Sequence, residues 1–446
     1  MKTSPNRKAN NSSRILLSET KSVCPICLKR IDARYTADAD GVFLEKECPH
    51  HGAFSVFVWD HPLGFLKWKT RIVDEPAFKS DCPYGCGICK HHLQDTCCVL
   101  IEVTQRCNLG CPICFASSGG EDAADDPDLT TIGDWYNMLM GNGGPFNIQL
   151  SGGEPTMRDD LPEIIRLGRE KGFSFFQLNT NGLRIANEIG YIERLKEAGL
   201  STVFLQFDGF SDKANFALRG GRVVEDKIRA VQRCQDAHIG VVLVPTVMKG
   251  ANDDEVGDIL RFAADNMPIV RGVHFQPISL FGRYSAGANA RITFPELFAK
   301  IERQTGGKLK RTDFLPSNAE HPLCGFHADY TVKDGNWTLL SSGGDGCSCG
   351  ISSDQARTAV ARKWSAPEEI VPLEPTSFID VSSLDEFLME RQNTTLAISG
   401  MAFQDAYTLD LNRLRRCYIH VVSQNGKLIP FCSYNLSSDA GKTLYR

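Results

Sequence analysis

The chain lacks any apolar run of the ~18–20 residues that a membrane-crossing helix needs. Its first stretch, Met1 to Ser13, is rich in Asn, Ser and Lys and has no apolar segment of the secretory kind. An excess of positive charge is missing too. The 49 Lys and Arg are outnumbered by 54 Asp and Glu, for a formal net charge of −5. A surface built for nucleic acid or an anionic membrane needs the opposite balance. These absences predict a cytoplasmic protein with no integral membrane segment and no nucleic-acid partner, its residues 1–20 a disordered tail. The remaining composition, 42% hydrophobic and 23% charged over 446 residues, is that of a globular protein with a large core.

Cysteine, by contrast, is abundant, with 17 in the chain. In a reducing compartment these thiols predict metal ligation rather than disulfides, and an anaerobic or oxygen-protected host. Cys107, Cys111 and Cys114 lie in the run Thr-Gln-Arg-Cys-Asn-Leu-Gly-Cys-Pro-Ile-Cys-Phe. Three thiolates so spaced can hold three irons of a [4Fe–4S] cube, leaving the fourth open to a substrate or cosubstrate. A structural zinc knuckle is the alternative, but it usually draws four ligands from two pairs. Phe115, next in the chain, can shield a cluster. The same spacing recurs in Cys82, Cys86 and Cys89. A fourth ligand for that copy would come from Cys97, Cys98 or the C-terminal region.

Cys24-Pro-Ile-Cys27 followed by Cys48-Pro-His-His51 reads as a small knuckle around one mononuclear ion. Rubredoxin-like iron prefers four Cys, so His51 (with His50 as its rival) favours zinc. Toward the C-terminus, Cys324, Cys347, Cys349 and Cys432 form a further candidate set, with Cys417 competing for a place. Cys234 falls in an amphipathic stretch and reads as a small buried hydrophobe. One of Cys97 and Cys98 reads likewise, because neighbouring strand residues face opposite ways.

From about Cys97 the sequence alternates between short apolar runs and amphipathic segments. Strands are expected at 99–103, 147–150, 175–178, 203–207, 241–247 and 272–275, and helices at 161–171, 188–198, 223–237 and 255–265. Six such units predict a partial (β/α)6 barrel of the α/β class, with its site at the C-terminal strand ends. The organisation expected is a knuckle at 21–60, a cluster segment at 61–96, the barrel at 97–300 and an irregular C-terminal iron–sulfur domain at 301–446. Phe275, Phe281 and Tyr284 are either pocket or core residues. Arg283 and His327 either orient a substrate or form surface ion pairs.

At the end of the second barrel strand stands Gln149-Leu-Ser-Gly-Gly-Glu-Pro-Thr156. Gly152 and Gly153 let backbone approach a ligand closely, and exposed carbonyls with Glu154 can accept from a cationic amino group. Coming some forty residues after the cysteine loop, this resembles the radical S-adenosylmethionine (SAM) superfamily. The resemblance continues through Leu178-Asn-Thr-Asn-Gly182, Gln206-Phe-Asp-Gly209 and Pro245-Thr-Val-Met-Lys-Gly-Ala-Asn252. It implies that Gly152, Gly153, Glu154, Pro155, Asn179, Asn181, Gln206, Asp208, Thr246 and Asn252 line SAM. It also implies that SAM chelates the open iron, that one electron cleaves its sulfonium, and that a 5′-deoxyadenosyl radical abstracts hydrogen from substrate.

Over nearly the whole chain, the order of cysteine motifs ending in Pro430-Phe-Cys-Ser-Tyr434 is similar to the tetraether lipid synthase group, formerly regarded as pterin methylases. That likeness implies one SAM-binding and two auxiliary [4Fe–4S] clusters, and a mononuclear Zn or Fe. A reductant such as ferredoxin or flavodoxin is expected, with C–C coupling or methylation of a lipid or small molecule as outcome. A peptide-modifying radical SAM oxidoreductase is the alternative; a non-catalytic electron-transfer protein would have no use for a SAM pocket.

Overall fold

The computed structural model describes residues 14–69, 81–119, 125–284, 287–317, 319–340, 352–367 and 390–446. The first sheet is an antiparallel ribbon of β1 (Ile15–Val23), β2 (Arg30–Asp38), β3 (Gly41–Cys48) and β4 (Gly52–Trp59), in that order. Tyr35, Val42, Leu44 and Trp59 are buried from it against Phe65 of α1 (Pro62–Lys69). The tail expected over 1–20 gives way to strand at Ile15. Its exposed side chains carried no burial signal; backbone pairing with β2 and the Arg14 bridges to Asp38 and Glu45, both 2.7 Å, make the strand.

The second sheet is built on six parallel strands. They are β5 (Cys98–Thr104), β6 (Asn147–Gly152), β7 (Phe176–Thr180), β8 (Thr202–Gln206), β9 (Gly240–Val244) and, after the short β10 (Thr246–Val247), β11 (Val270–Pro277). Between them run α2 (Leu129–Gly141), α3 (Leu161–Glu170), α4 (Leu183–Asn187), α5 (Tyr191–Ala198), α6 (Asp212–Arg219), α7 (Val224–Asp236) and α8 (Val256–Asp265), with α9 (Phe294–Gln304) following β11. Local chemistry starts these helices. Asp128 caps α2 by accepting from Thr131 N–H at 2.8 Å, Ser211 caps α6 from Ala214 N–H at 3.1 Å, and Thr293 and Glu296 form a capping box on α9. Each buries a stripe at helical spacing, such as Ile132, Tyr136 and Leu139 or Ala230, Val231 and Cys234. Cys234 is thus the core residue expected.

The strand period of two divides β5 between two cores. Val99, Ile101 and Val103 join the helices, while Leu100 faces the other way onto Ile429, Phe431 and Cys432. The described residues of 301–446 are not irregular throughout. They supply β12 (Leu315–Pro316), β13 (Gly325–Lys333), β14 (Asn336–Leu339), β15 (Thr395–Met401), β16 (Ile419–Val422) and β17 (Leu428–Pro430). β15 runs parallel beside β11 and β16 parallel beside β5, so the C-terminal region widens both edges of the sheet. The turn before β13 bridges the two edges, with Ala319 packed on Cys97 and Cys98. The result is an open, partial barrel.

Helix α10 (Ser353–Trp364) lies across the N-terminal strand ends. Its Arg357 carbonyl accepts from Asn147 Nδ2 at the start of β6 (3.0 Å), Ala356 packs on Cys97 and Cys98 at β5, and Trp364 packs with Phe175 and Val242. The opposite, C-terminal ends remain for the site.

Candidate functional site

Cys107, Cys111 and Cys114 occupy the loop that leaves β5. Arg283, just beyond β11, clamps it. Its backbone exchanges two 2.9 Å hydrogen bonds with Cys114, its Nε donates to the Cys111 carbonyl at 2.8 Å, and both terminal nitrogens donate to Ser118 at 3.2 Å. Arg283 is therefore a brace for the cysteine loop. His327 lies in β13 opposite Ser399. Burial, reinforced by Glu154, Cys111 and Cys114, pushes the Cys107 thiol up to about 11. Three thiols held on one loop suit the donor set of an iron cluster. In a cube each would bind its own iron, so they would not need to crowd as the ligands of a single ion do.

The Gly-Gly segment docks on this loop. Gly153 N–H donates to Thr104 O at 2.7 Å and Glu154 N–H to Arg106 O at 2.9 Å. A Cβ on Gly152 (φ +121°) would stand 2.2 Å from Thr104 O, and one on Gly153 2.2 Å from Arg106 O. Only glycine permits the approach. The Glu154 carboxylate is buried and already engaged. It accepts from Thr156 N–H (3.1 Å), Thr156 Oγ1 (2.7 Å), Thr180 Oγ1 (2.6 Å) and Asn181 N–H (2.7 Å), so it acts as a strut between the ends of β6 and β7. Pro155 opens the short turn that follows. Asn181 reaches the cysteine loop through Asn108 (2.7 Å), and a cleft of about 420 Å³ opens beside Asn108, lined also by Thr156, Leu183 and Arg184. Asn179 accepts from Gln177 at 2.7 Å.

On the far side, Asp208 forms a buried two-point pair with Arg219 of α6, at 2.5 and 2.8 Å, and accepts from Thr246 N–H at 2.9 Å. Asn252 donates to the carbonyls of Asp208 (2.8 Å) and Thr246 (2.9 Å). Burial opposes the charge on Arg219, but Asp208 and Cys111 outweigh it, so the guanidinium stays cationic beside the thiols. Lys227 of α7 is also buried. Its ammonium donates to the Asn181 carbonyl and to Gln206 Oε1 (3.3 Å), and desolvation lowers its pKa to about 8. Sequence spacing gave no sign of Arg219 or Lys227, each on a helix remote from the motif it supports, and it left Arg283 between substrate and surface roles rather than on the cysteine loop. Phe115 is partly exposed, its ring 5.6 Å from Phe431.

The other cysteines fall into separate groups. Cys82 and Cys86 are hydrogen-bonded neighbours, and that contact with burial raises the Cys86 thiol. Cys89 belongs to the same turn, which docks on the C-terminus through Tyr445 (Cys86 N–H to Tyr445 OH, 2.8 Å). Cys324, Cys417 and Cys432 converge from three segments. Cys432 is buried and Cys324 and Cys417 are half-buried; desolvation makes each resist ionisation, helped by Glu320 at Cys324 and by the neighbouring thiols at Cys417 and Cys432, and Arg413 is hydrogen-bonded to Cys324. Cys347 and Cys349 lie outside the described residues. Cys97 and Cys98 do not split between faces: Cys97 precedes the strand, so the two sulfurs touch at 3.6 Å in one small apolar group. Phe275 and Phe281 are core residues, and Tyr284 OH bonds Asp439 at 3.2 Å.

In the ribbon, Cys24 and Cys27 follow β1, and Cys48 and His51 flank the β3–β4 turn. Their ligand atoms all lie within 4.8 Å of one another. His51 Nδ1 is 3.5 Å from Cys24 Sγ and 3.4 Å from Cys48 Sγ. Burial works against ionisation of Cys48, but the His50 backbone N–H and the His51 ring overcome it and bring the thiol down. This is a closed set of four ligands of the structural-zinc kind.

The cysteine loop at one strand end and the glycine pair seated on it at the next define the class. The family model described as the radical SAM superfamily matches residues 101–263, and that of the HMPTM N-terminal zinc ribbon domain matches residues 16–60. The chain is an enzyme that belongs to the radical SAM superfamily. Within it, the chain is 35% identical to the 7,8-dihydro-6-hydroxymethylpterin dimethyltransferase of Methanocaldococcus jannaschii, over 94% of this chain and 93% of that one. It is 31% identical to the GTP 3′,8-cyclase of Listeria monocytogenes over 41% of its length, about half (55%) of that enzyme. The crystal structure of Streptococcus suis SuiB bound to S-adenosylmethionine is a distant likeness, with a TM-score of 0.40 and 16% identity over 61% of this chain and 68% of that one.

Proposed function

We propose that the enzyme cleaves SAM reductively at Cys107, Cys111 and Cys114 and uses the radical to functionalise an unactivated C–H carbon, ending in methylation or C–C coupling. The observation that carries this is the fit of Gly152 and Gly153 onto the backbone of the cysteine loop. When bound, the [4Fe–4S] cluster supplies one electron to the sulfonium C–S bond and an iron site for the SAM amino and carboxylate groups. The chain's part is to place and charge-balance that chemistry. Backbone carbonyls around Gly152 accept from the ammonium, while Asn181, Gln206, Asp208, Thr246 and Asn252 shape the pocket's far wall. Arg219 and Lys227 offset the charge of the thiolates, and Arg283 fixes their loop. Cys82, Cys86 and Cys89 would hold one auxiliary cluster, and Cys324, Cys417 and Cys432 another. A low-potential donor such as ferredoxin or flavodoxin would supply electrons.

The near full-length likeness to a protein named as a dimethyltransferase supports a methyl-type outcome on a small molecule or lipid. The test is anaerobic incubation of the reduced, reconstituted chain with SAM. Formation of 5′-deoxyadenosine is expected, with about twelve iron and twelve sulfide per chain. No nucleoside product from protein with intact clusters would overturn the reading, and about four iron would remove the auxiliary clusters.

A further inference from the structure

The short helix Phe431–Tyr434 presents successive side chains to three cysteine groups. The Phe431 ring lies 5.6 Å from that of Phe115, the residue after Cys114. Cys432 Sγ accepts from Gln404 N–H at 3.2 Å and sits with Cys324 and Cys417. Ser433 Oγ lies 3.3 Å from Cys86 Sγ, and Ser433 is completely buried.

The direction of that last contact follows from proton supply. A thiol could donate to the hydroxyl, but a thiolate bound to iron has no proton and can only accept. Ser433 carries one proton. Its other acceptor is the Pro83 carbonyl, also at 3.3 Å. That carbonyl is also 2.6 Å from Tyr445 OH, whose single proton is shared with the Tyr84 carbonyl at the same 2.6 Å. The backbone N–H of Cys86 is committed to the same Tyr445 oxygen. At equal distances of 3.3 Å the choice lies between a neutral carbonyl and, once Cys86 is a thiolate, an anionic sulfur; the charged acceptor is the stronger and takes the hydroxyl proton. A hydrogen bond to a cluster sulfur stabilises the more negative, reduced state and raises the potential. Burial strengthens it, since no water competes.

We propose that Ser433 is a positioning residue of the Cys82–Cys86–Cys89 centre, whose hydroxyl holds the potential of that cluster up. The proposal rests on the auxiliary-cluster reading above. Because Cys432 precedes it directly, one peptide link and one hydrogen bond join the two auxiliary centres. The residue that tunes one cluster is thus the sequence neighbour of a ligand to the other.

The experiment is a potentiometric titration followed by electron paramagnetic resonance on the full chain and its S433A and S433T variants, with iron and sulfide measured on each. In S433A the expected result is unchanged iron, one midpoint potential shifted negative and the others unmoved; S433T restores the shifted value. Full iron with every midpoint unmoved in S433A would overturn the proposal. As a check needing no folded variant, electron–nuclear double resonance of the wild type in D2O is expected to show an exchangeable deuteron coupled to an auxiliary cluster. Absence of such a deuteron also overturns it. A wild type holding only about four iron defeats the cluster reading instead, which is a separate and recognisable failure.

Discussion

Replacing Gly153 with alanine tests the site where it is tightest. The new Cβ would lie 2.2 Å from Arg106 O and 2.9 Å from Gln105 O. Ordinary carbon–oxygen contacts close no nearer than about 3.3 Å, so the end of β6 must retreat by roughly 1 Å from the cysteine loop. Both neighbours are backbone and cannot swing aside. The Gly153–Thr104 and Glu154–Arg106 hydrogen bonds, at 2.7 and 2.9 Å, would stretch beyond useful range, at about 1 kcal/mol each. Total stability should fall by about 2 kcal/mol, leaving the chain folded. Activity should suffer more, because a displacement of about 1 Å at a reacting centre costs on the order of 10²-fold. The assay is 5′-deoxyadenosine release in a single turnover with saturating SAM, with iron content checked in parallel. A G153A variant that retains its iron and turns over at the wild-type rate would refute the idea that this contact sets the geometry.

The knuckle predicts one tightly held metal ion per chain; H51A should lose it, with iron in the cysteine loops untouched, as measured by elemental analysis. Retention of the ion by H51A would remove His51 from the ligand set. For Cys432, a C432A change should lower iron by about four per chain while leaving SAM binding in place; unchanged iron would exclude Cys432 as a ligand. Lys46 is buried between the ribbon and the C-terminal region, donating to Ser22 Oγ (3.0 Å) and the Ala406 carbonyl (2.7 Å), and desolvation lowers its pKa to about 7, partly offset by Asp405. Since the unfolded side chain keeps its proton to about pH 10.4, the unfolded state binds more protons between about pH 7 and 10, and Lys46 makes stability rise with pH there, by up to about 1.4 kcal/mol per unit. Denaturation midpoints of K46M should show that slope reduced; equal slopes would sink the assignment.

Much of the barrel was legible because its signals are local. The apolar runs at 99–103 and 203–207 and the amphipathic stripe of Leu161, Ile164 and Ile165 each carry their own periodicity. Cysteine spacing likewise marked the knuckle and both loops. The rest depends on contacts distant in sequence. Nothing in Ile419–Val422 says that it pairs with β5, more than three hundred residues earlier. Nothing near Arg219 or Lys227 says that a helix will turn a cation toward Cys111. Glu154 was found in the expected place with an unexpected task. A motif tells which residues gather, whereas hydrogen-bond bookkeeping decides which of them have capacity left for a ligand.

Helix α10 gives the enzyme a floor. Ala356, Arg357 and Trp364 are set against the starts of β5, β6 and β9, so the described residues cover that end of the sheet. Among the described residues that leaves the C-terminal rim and the open side of the partial barrel as the approaches to the cysteine loop. A molecule bound at the cysteine loop is thus walled off from below, and its exchange with solvent belongs to the opposite end of the sheet.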